Sequence, residues 1–280
     1  MIRSRIETAL DSNTPLLIGR FGTIEFTVLW NFLIYKKINP DYLTVLERNA
    51  GVFGDLPAIA KWCEEYEKAC SSADILATGW HPPIVVREQE LLKRMKYSGA
   101  QCVLRALEPY YWPVEERWFE PLHRQRVCVV SSFVDTIASQ IKKGERCIWP
   151  DGNMWPSAEW SFVKTGYAPS LALGRAGWEC DNLESWETCV DHVVAEVMKT
   201  WARVVLIGCG GLGMIIAGRL QAAGKICIVM GGAIQVLFGI KGRRWQDHQI
   251  SGFWNSDWVA PSESETPAGA IDVERGCYWF

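Results

Sequence analysis

The amino-acid sequence predicts an α/β fold, a single Rossmann-like domain in which a mainly parallel sheet is flanked by helices. Short apolar runs typical of β-strands alternate along the chain with segments of helical periodicity. Most of these runs lack the apolar–polar alternation of half-exposed strands, so we expect strands that are covered on both faces. The chain has 280 residues, of which 49% are hydrophobic, and this is enough to fill the core of one domain spanning residues 1–280.

Seven strands are predicted from the apolar runs. They span residues 15–19, 75–78, 102–105, 126–130, 147–149, 204–207 and 226–230. Cys128 and Cys227 lie inside two of these runs, and we expect both to be reduced cysteines packed in the core. The ten cysteines include no Cys-x-x-Cys pair and the chain has only four histidines, so a structural zinc site is not expected.

The clearest predicted helix spans residues 182–201. Its apolar side chains recur at every third or fourth position, and Asp181 or Asn182 can cap its first turn. A second helix is predicted over residues 212–223, where Gly224 supplies a left-handed stop. Further helices are expected at residues 23–36, 56–70, 86–95 and 134–142.

Charge and hydropathy limit the partners that the chain can have. The formal net charge of −3 does not provide the basic surface that the phosphate backbone of a nucleic acid requires. The most apolar stretch, residues 204–216, is shorter than the roughly 20 residues that span a bilayer, and glycines interrupt it. Residues 1–10 are charged and amphipathic, so no secretory signal is expected. We therefore expect a cytoplasmic protein with no nucleic-acid partner and no membrane span.

The first candidate site is a glycine-rich turn between a predicted strand and a predicted helix. Gly208, Gly210 and Gly213 match the pattern Gly-x-Gly-x-x-Gly, with Gly211 inside it. Glycine lets the backbone approach a phosphate, and the free N–H groups at the start of a helix attract anions. A dinucleotide site would add an acidic residue at the end of the next strand, where this chain has a glycine pair beginning at Gly231. This difference disfavours an NAD(P)- or nucleotide-dependent oxidoreductase, which remains the main alternative function.

Charged side chains follow two other predicted strands. Arg20 and Glu25 follow the first strand, where the guanidinium suits a phosphate and the carboxylate can act as a general base or a metal ligand. After the last strand, the glycine pair is followed by Arg243 and Arg244, a basic cluster that can contact an anion. The carboxyl ends of parallel strands share one edge of a sheet, so we expect these loops to meet around a ligand.

The 15 tryptophans of the chain are a further candidate for ligand binding. Aromatic rings stack on the apolar faces of sugars, and Trp80, His81, Tyr111 and Trp112 are the candidates for a groove that binds a glycan acceptor. For any single tryptophan, packing in the core is the competing interpretation.

Residues 20–25, Arg-Phe-Gly-Thr-Ile-Glu, resemble the Arg-x-Gly-Asp-x-Glu signature of the GT-D fold glycosyltransferases, a nucleotide-sugar-dependent family formerly described as a domain of unknown function. Further segments resemble the same family in the same order, so the resemblance covers nearly the whole chain. They span residues 129–137, 208–213, 231–245 and 273–279. The resemblance implies a glycosyltransferase that moves a sugar from a UDP-sugar donor to a hydroxyl of a glycan acceptor.

The resemblance implies that the motif carboxylates handle the metal and the diphosphate, and that the glycine loop and Ser131-Ser132 lie near the nucleotide. The residue chemistry extends this to a hypothesis for the whole site. The nucleotide-sugar would bind to Arg20, Gly22, Thr23, Ser131, Ser132, Gly208, Gly210, Gly211, Gly213, Arg243 and Arg244. Glu25 would be the catalytic base on the acceptor hydroxyl, which favours inversion, with Glu265 and Glu274 in reserve. Thr23 replaces the aspartate of the motif, so Glu25 is the carboxylate that remains there for a divalent cation such as Mn²⁺ or Mg²⁺. This substitution also leaves open a non-catalytic module that binds a nucleotide or a glycan.

Overall fold

Seven strands form one sheet in the computed structural model, which describes residues 1–79, 81–152, 154–155, 157–166, 183, 185–246 and 249–280. The strands are β1 (Leu16–Arg20), β2 (Ile75–Thr78), β3 (Ala100–Val103), β4 (Arg126–Ser131), β5 (Glu159–Lys164), β6 (Val204–Gly208) and β7 (Ile226–Val229). Their order is β3-β2-β1-β7-β6-β4-β5, and every neighbouring pair is parallel. The predicted α/β fold with a parallel sheet is therefore confirmed.

One predicted strand is wrong, and one strand is absent from the prediction. Residues 147–149 lie at the end of a short helix, Glu145–Ile148, and are not a strand. Their apolar sequence reflects burial in the core, where two of the three side chains lie. The edge strand β5 lacks a continuous apolar run, because among its residues only Val163 is fully buried. Strand β3 begins at Ala100 instead of residue 102.

Helices cover both faces of the sheet. Those in the described part of the chain are α1 (Ile2–Asp11), α2 (Thr23–Tyr35), α3 (Asp41–Ala50), α4 (Leu56–Ser72), α5 (Val85–Arg94), α6 (Val134–Lys143), α7 (Glu145–Ile148), α8 (Trp186–Lys199), α9 (Gly213–Ala222) and α10 (Ala233–Leu237). Helix α8 begins later than predicted, because the side chain of Ser185 accepts a hydrogen bond from the Thr188 N–H and caps the first turn. The predicted caps, Asp181 and Asn182, lie outside the described residues.

Each face of the sheet has its own core, because successive strand side chains point to opposite faces. Leu17, Ile207 and Val229 face the core that helices α2, α3, α4, α5, α8 and α9 cover. Ile18 and Leu206 face the core that α1, α6, α7 and α10 cover, together with the segments between elements. The central strands are therefore buried on both sides, as their apolar sequences predict.

The loops after the central strands diverge to opposite faces of the sheet. After β1 and β6 the chain enters α2 and α9 on the first face, whereas after β4 and β7 it enters α6 and α10 on the second. Because β7 lies between β1 and β6, the neighbouring loops separate on both of its sides. In parallel α/β sheets such points open a crevice at the carboxyl ends of the strands, which is where ligands bind.

The fold also bears on the predicted cysteines and on membrane insertion. Cys128 and Cys227 are free and buried, as predicted. No helix among the described residues combines the length and the apolarity needed to cross a membrane.

A buried carboxylate ties the C-terminal segment to the sheet. Glu265 caps the N-terminus of α6, because it accepts hydrogen bonds from the backbone N–H groups of Asp135 (2.8 Å) and Thr136 (3.2 Å). It also accepts one from the hydroxyl of Ser262 (3.0 Å). A carboxylate at this end of a helix interacts favourably with the helix dipole. Structural hydrogen bonds thus occupy Glu265, which the sequence analysis holds in reserve as a catalytic base.

Replacing Glu265 should destabilise the fold. The E265A variant leaves buried N–H groups of α6 without an acceptor, and we expect the free energy of unfolding to fall by about 1.5–3 kcal/mol. Glu263 is exposed on the same turn, and E263A should stay within about 0.5 kcal/mol of the wild type. Urea denaturation followed by circular dichroism measures both variants. Equal stability of the two variants would contradict the capping role.

Candidate active site

A cavity of about 900 Å³ lies over the carboxyl ends of the strands. Residues that follow all seven strands line it, which places it where the loops diverge. One such residue for each strand, from β1 to β7, is Gly22, Gly79, Leu104, Ser132, Gly166, Cys209 and Gly231. The C-terminal residues Glu274, Tyr278 and Trp279 complete the wall.

Two arginines converge on the glycine pair at the end of β7. A methyl group built on Gly231 would lie 3.6 Å from Nη1 of Arg20, and one built on Gly232 would lie 3.7 Å from Nη1 of Arg244. Gly231 has a φ of +60°, a conformation that glycine adopts without strain. The loop therefore presents bare backbone to the Arg20 guanidinium at Gly231, whereas the Tyr278 ring packs against Gly232, 2.9 Å from a methyl group built there. Two guanidinium groups beside one loop suit an anion with several oxygens.

The carboxylate of Glu25 is buried beside these arginines. The residue is only 9% exposed, and Gly22 packs so closely that a methyl group there would overlap both carboxylate oxygens. Burial raises the pKa of Glu25, and its own backbone N–H together with the charges of Arg20 and Arg244 only partly offset the rise. The buried hydroxyl of Tyr66 lines the same region, and burial raises its pKa too.

Arg244 is held in place by the C-terminal segment. Its Nη1 donates to the Tyr278 hydroxyl (3.1 Å), its guanidinium lies 4.7 Å from the centre of that ring, and its Nη2 pairs with the Glu274 carboxylate. Burial alone would lower the pKa of Arg244. The interactions with Tyr278, Cys277 and Glu25 together raise this pKa by more, so its net shift is upward. Glu274 therefore reaches the cavity already paired with a cation.

A third glutamate, Glu108, interacts electrostatically with Arg20. Glu108 lines the cavity, and burial raises its pKa against the opposing charges of Arg20 and Arg105. The guanidinium of Arg105 stacks on the ring of Tyr111, 4.3 Å from its centre. Glu108 is not predicted as a site residue, because it follows β3 by several residues and lies in no recognisable motif.

The glycine-rich turn is divided between ligand-facing and packing roles. Gly208 and Gly210 line the cavity, whereas Gly211 and Gly213 lie outside its lining. Gly210 has a φ of +45°, and a methyl group there would come within 2.7 Å of the carbonyl oxygen of Ala50. The carbonyl of Gly211 accepts a hydrogen bond from the Trp62 indole (3.1 Å). Part of the glycine pattern is thus required by the close approach of α3 and α4.

The remaining predicted residues fall on both sides of the cavity boundary. The lining includes Gly22, Thr23, Ser131, Ser132, His81 and Tyr111. Arg243 is exposed and outside the lining, and Trp112 donates through its indole to the Arg105 carbonyl (2.5 Å). Trp80 lies outside the described residues. Residues that the sequence analysis misses are Asn49, Tyr66, Glu108, Gln235 and Tyr278, all of which line the cavity.

Fold and cavity together define an α/β protein with a cavity at the carboxyl edge of a parallel sheet, and Arg20 and Arg244 are part of the cavity lining. Two solved structures are similar to it, one described as the selenomethionine-substituted domain of unknown function 1792, the other as that highly conserved domain with a distinct glycosyltransferase fold. The first has 11% identity and a TM-score of 0.46, over 82% of this chain and 77% of that chain. The second has 11% identity and a TM-score of 0.44, over 82% and 76%.

No family model matches the chain, and no curated protein matches it. At this level of similarity, the assignment of a function depends on the residues of the cavity.

A side chain at position 22 should displace the Glu25 carboxylate. The G22A variant places a methyl group where the carboxylate lies, so we expect the carboxylate to move toward water and the pKa of Glu25 to fall toward its ordinary value. A ¹³C NMR titration, with E25Q to assign the resonance, measures this. Gly252 is the control, since a methyl group there meets nothing within 4 Å. An unchanged pKa in G22A would show that Gly22 does not confine Glu25.

Proposed function

We propose that the protein is a glycosyltransferase that moves a sugar from a UDP-sugar to a hydroxyl of a glycan acceptor. The observation that supports this most directly is the convergence of Arg20, Arg244 and the buried Glu25 carboxylate at the end of β7. Two fixed cations suit a diphosphate leaving group, and a carboxylate held out of water suits proton removal from an acceptor. A cavity of about 900 Å³ has the size of a nucleotide-sugar site.

The diphosphate of the donor binds to Arg20 and Arg244 in this proposal. The bare backbone of Gly231 allows phosphate oxygens to approach, and the turn that contains Gly208 and Gly210 adds N–H groups ahead of α9. Ser131 and Ser132 line the neighbouring wall and offer hydroxyls to the nucleotide. Positive groups that are already in place stabilise the charge that develops on the departing UDP.

Glu25 is the proposed general base. Its carboxylate takes the proton of the acceptor hydroxyl while that oxygen bonds to the anomeric carbon. The bond from the anomeric carbon to the diphosphate oxygen breaks, and UDP leaves with the electron pair. Attack opposite to the leaving group inverts the anomeric configuration. A raised pKa makes the ionised Glu25 a stronger base than an exposed glutamate. Glu274, already paired with Arg244, has the proposed role of holding that arginine.

The acceptor binds on the far side of the cavity, beyond β2 and β3, in this proposal. His81, Glu108 and Tyr111 line that side. A carboxylate can accept hydrogen bonds from sugar hydroxyls, and an aromatic ring can contact an apolar sugar face. Trp112 supports this wall indirectly through its hydrogen bond to the Arg105 carbonyl.

We further propose that transfer does not need a divalent cation. The part of the chain that the structure describes contains no group of three or more His, Cys, Asp or Glu side chains that could hold a metal ion. The Glu25 carboxylate is balanced by the charges of Arg20 and Arg244 instead, and Thr23 stands where the related motif has a second carboxylate. Hard divalent cations prefer several oxygen ligands, which this set of residues does not supply.

A donor screen distinguishes this proposal from its two alternatives. Thermal shift and UDP release are measured with a panel of nucleotide-sugars, each with Mn²⁺ and with EDTA, and with NAD(P)H. We expect one UDP-sugar to raise the melting temperature and to turn over equally well in EDTA. Stabilisation by NAD(P)H alone would indicate an oxidoreductase, although β7 ends in Gly231 and Gly232 without the acid of a dinucleotide site. Tight UDP binding without turnover would indicate a non-catalytic module.

Removing the proposed base should abolish most turnover while UDP binding is retained. We expect E25Q to lower turnover by about 10²–10⁴-fold. Because burial raises the pKa of Glu25, wild-type kcat/KM should increase with pH through a pKa above that of an exposed glutamate. E25Q should lose this acid limb and E274Q should keep it. If E25Q retains most of its turnover in the UDP-release assay, Glu25 is not the base.

Two adjacent arginines allow a matched test of the diphosphate site. Arg244 lines the cavity and Arg243 is exposed outside it. Losing a charge-assisted hydrogen bond should weaken UDP binding of R244M by about 10- to 100-fold, as measured by isothermal titration calorimetry. R243M should bind UDP like the wild type. Equal losses in both variants would point to a general electrostatic effect and contradict the assigned site.

A further inference from the structure

A half-buried tryptophan lies in the cavity wall next to the proposed diphosphate site. Trp245 directly follows Arg244 and ends the turn that begins at Arg243. A methyl group built on Gly232 would lie 3.6 Å from Cζ2 of the Trp245 indole and 3.7 Å from Nη1 of Arg244. The ring itself, and not only the backbone of Trp245, therefore meets the glycine pair beside an arginine of the proposed diphosphate site.

A second glycine makes room for the same ring. A methyl group built on Gly242 would come within 2.7 Å of Cζ3 of Trp245, so a side chain at position 242 would displace the indole. The contacts at Gly232 and Gly242 both involve the six-membered part of the indole. Two stretches of bare backbone thus hold a flat apolar surface in place, while part of the residue stays exposed in the cavity wall.

Another tryptophan of the lining has a structural role instead. Trp279 is only 5% exposed, and its indole donates to the carbonyl oxygen of Glu265 (2.8 Å). Its ring also packs edge-on against Phe133. Trp279 is therefore committed to the packing of the C-terminal segment, whereas the half-exposed ring of Trp245 is open to a ligand.

A row of aromatic rings along this wall connects Trp245 with the end of β4. Phe133 follows β4 and contacts Trp279. The ring centre of Tyr278 lies 6.0 Å from that of Trp279 and 6.4 Å from that of Trp245. The serines at the end of β4 are the proposed contacts of the nucleotide. The row therefore leads from the nucleotide, past the arginine that Tyr278 holds, to Trp245.

We propose that the indole of Trp245 binds the transferred sugar of the donor by stacking on an apolar face of the sugar ring. A nucleotide-sugar runs from nucleoside through diphosphate to sugar. A nucleoside near β4 and a diphosphate on Arg20 and Arg244 thus bring the sugar next to Trp245. The C–H groups of a sugar ring pack on an aromatic surface, and burying both surfaces stabilises the complex. This inference rests on the proposed function and adds to it a residue that binds the sugar.

A tryptophan from the same part of the chain provides the control. Trp254 is also half-buried, but it lies outside the cavity lining. Calorimetry with UDP and with the UDP-sugar from the donor screen compares the two positions. We expect W245A to bind the UDP-sugar about tenfold more weakly and UDP as tightly as the wild type does. W245F keeps an aromatic ring and should lose less, and W254A should bind both ligands like the wild type.

Two other results would overturn the inference. Equal weakening of UDP and UDP-sugar binding in W245A would assign the indole to the nucleotide, and unchanged binding of both ligands would show that it contacts neither. If W245A does not fold, the indole ¹⁵N resonance of Trp245 in the wild type, assigned with W245F, replaces calorimetry. It should shift more with the UDP-sugar than with UDP, and equal shifts or none would contradict the proposal. A wild type that binds no UDP compound would instead overturn the proposed function itself.

Discussion

The site depends on holding the carboxylate of Glu25 out of water at the end of a central strand. An isolated buried charge is very unfavourable, and Arg20 and Arg244, which lie near opposite ends of the chain, supply the compensation. The net pKa shift is still upward, so the folded state binds the proton more tightly than the unfolded chain does. The contribution of this carboxyl to stability therefore falls as pH rises through its raised pKa. Stability at higher pH is given up for a more basic carboxylate.

Glycine supplies the space that this arrangement needs. Gly22 admits the Glu25 carboxylate, Gly231 leaves room for the Arg20 guanidinium, and Gly232 leaves room for the Tyr278 ring. Position 210 needs glycine for a different reason, because the carbonyl oxygen of Ala50, the last residue of α3, lies against the turn there. A glycine motif in a sequence can thus report backbone packing at one position and a ligand site at the next.

Sequence patterns predict the strands and helices whose side chains are buried in a regular pattern. Strands buried on both faces form continuous apolar runs, so the central strands are predicted, whereas the edge strand β5 and the helices α1 and α3 bury only part of their side chains. Arg20 and Glu25 are predicted because they lie close to the end of β1, and Arg244 because it belongs to the basic cluster that follows the glycine pair. Tyr66 and Gln235 are not, since a tyrosine in the middle of α4 and a glutamine in an apolar helix reach the cavity only through tertiary packing.

The C-terminal segment joins the stability of the fold to the shape of the cavity. Residues 274–276 have φ values of 43°, 61° and 73°, and consecutive left-handed residues other than glycine are unfavourable. Such a turn persists only where its surroundings hold it. Glu274 forms an ion pair with Arg244. The indole of Trp279 donates a hydrogen bond to the backbone carbonyl of Glu265 (2.8 Å), and the side chain of Glu265 caps α6. The ion pair between Glu274 and Arg244 therefore both holds this strained turn and positions Arg244 in the cavity wall.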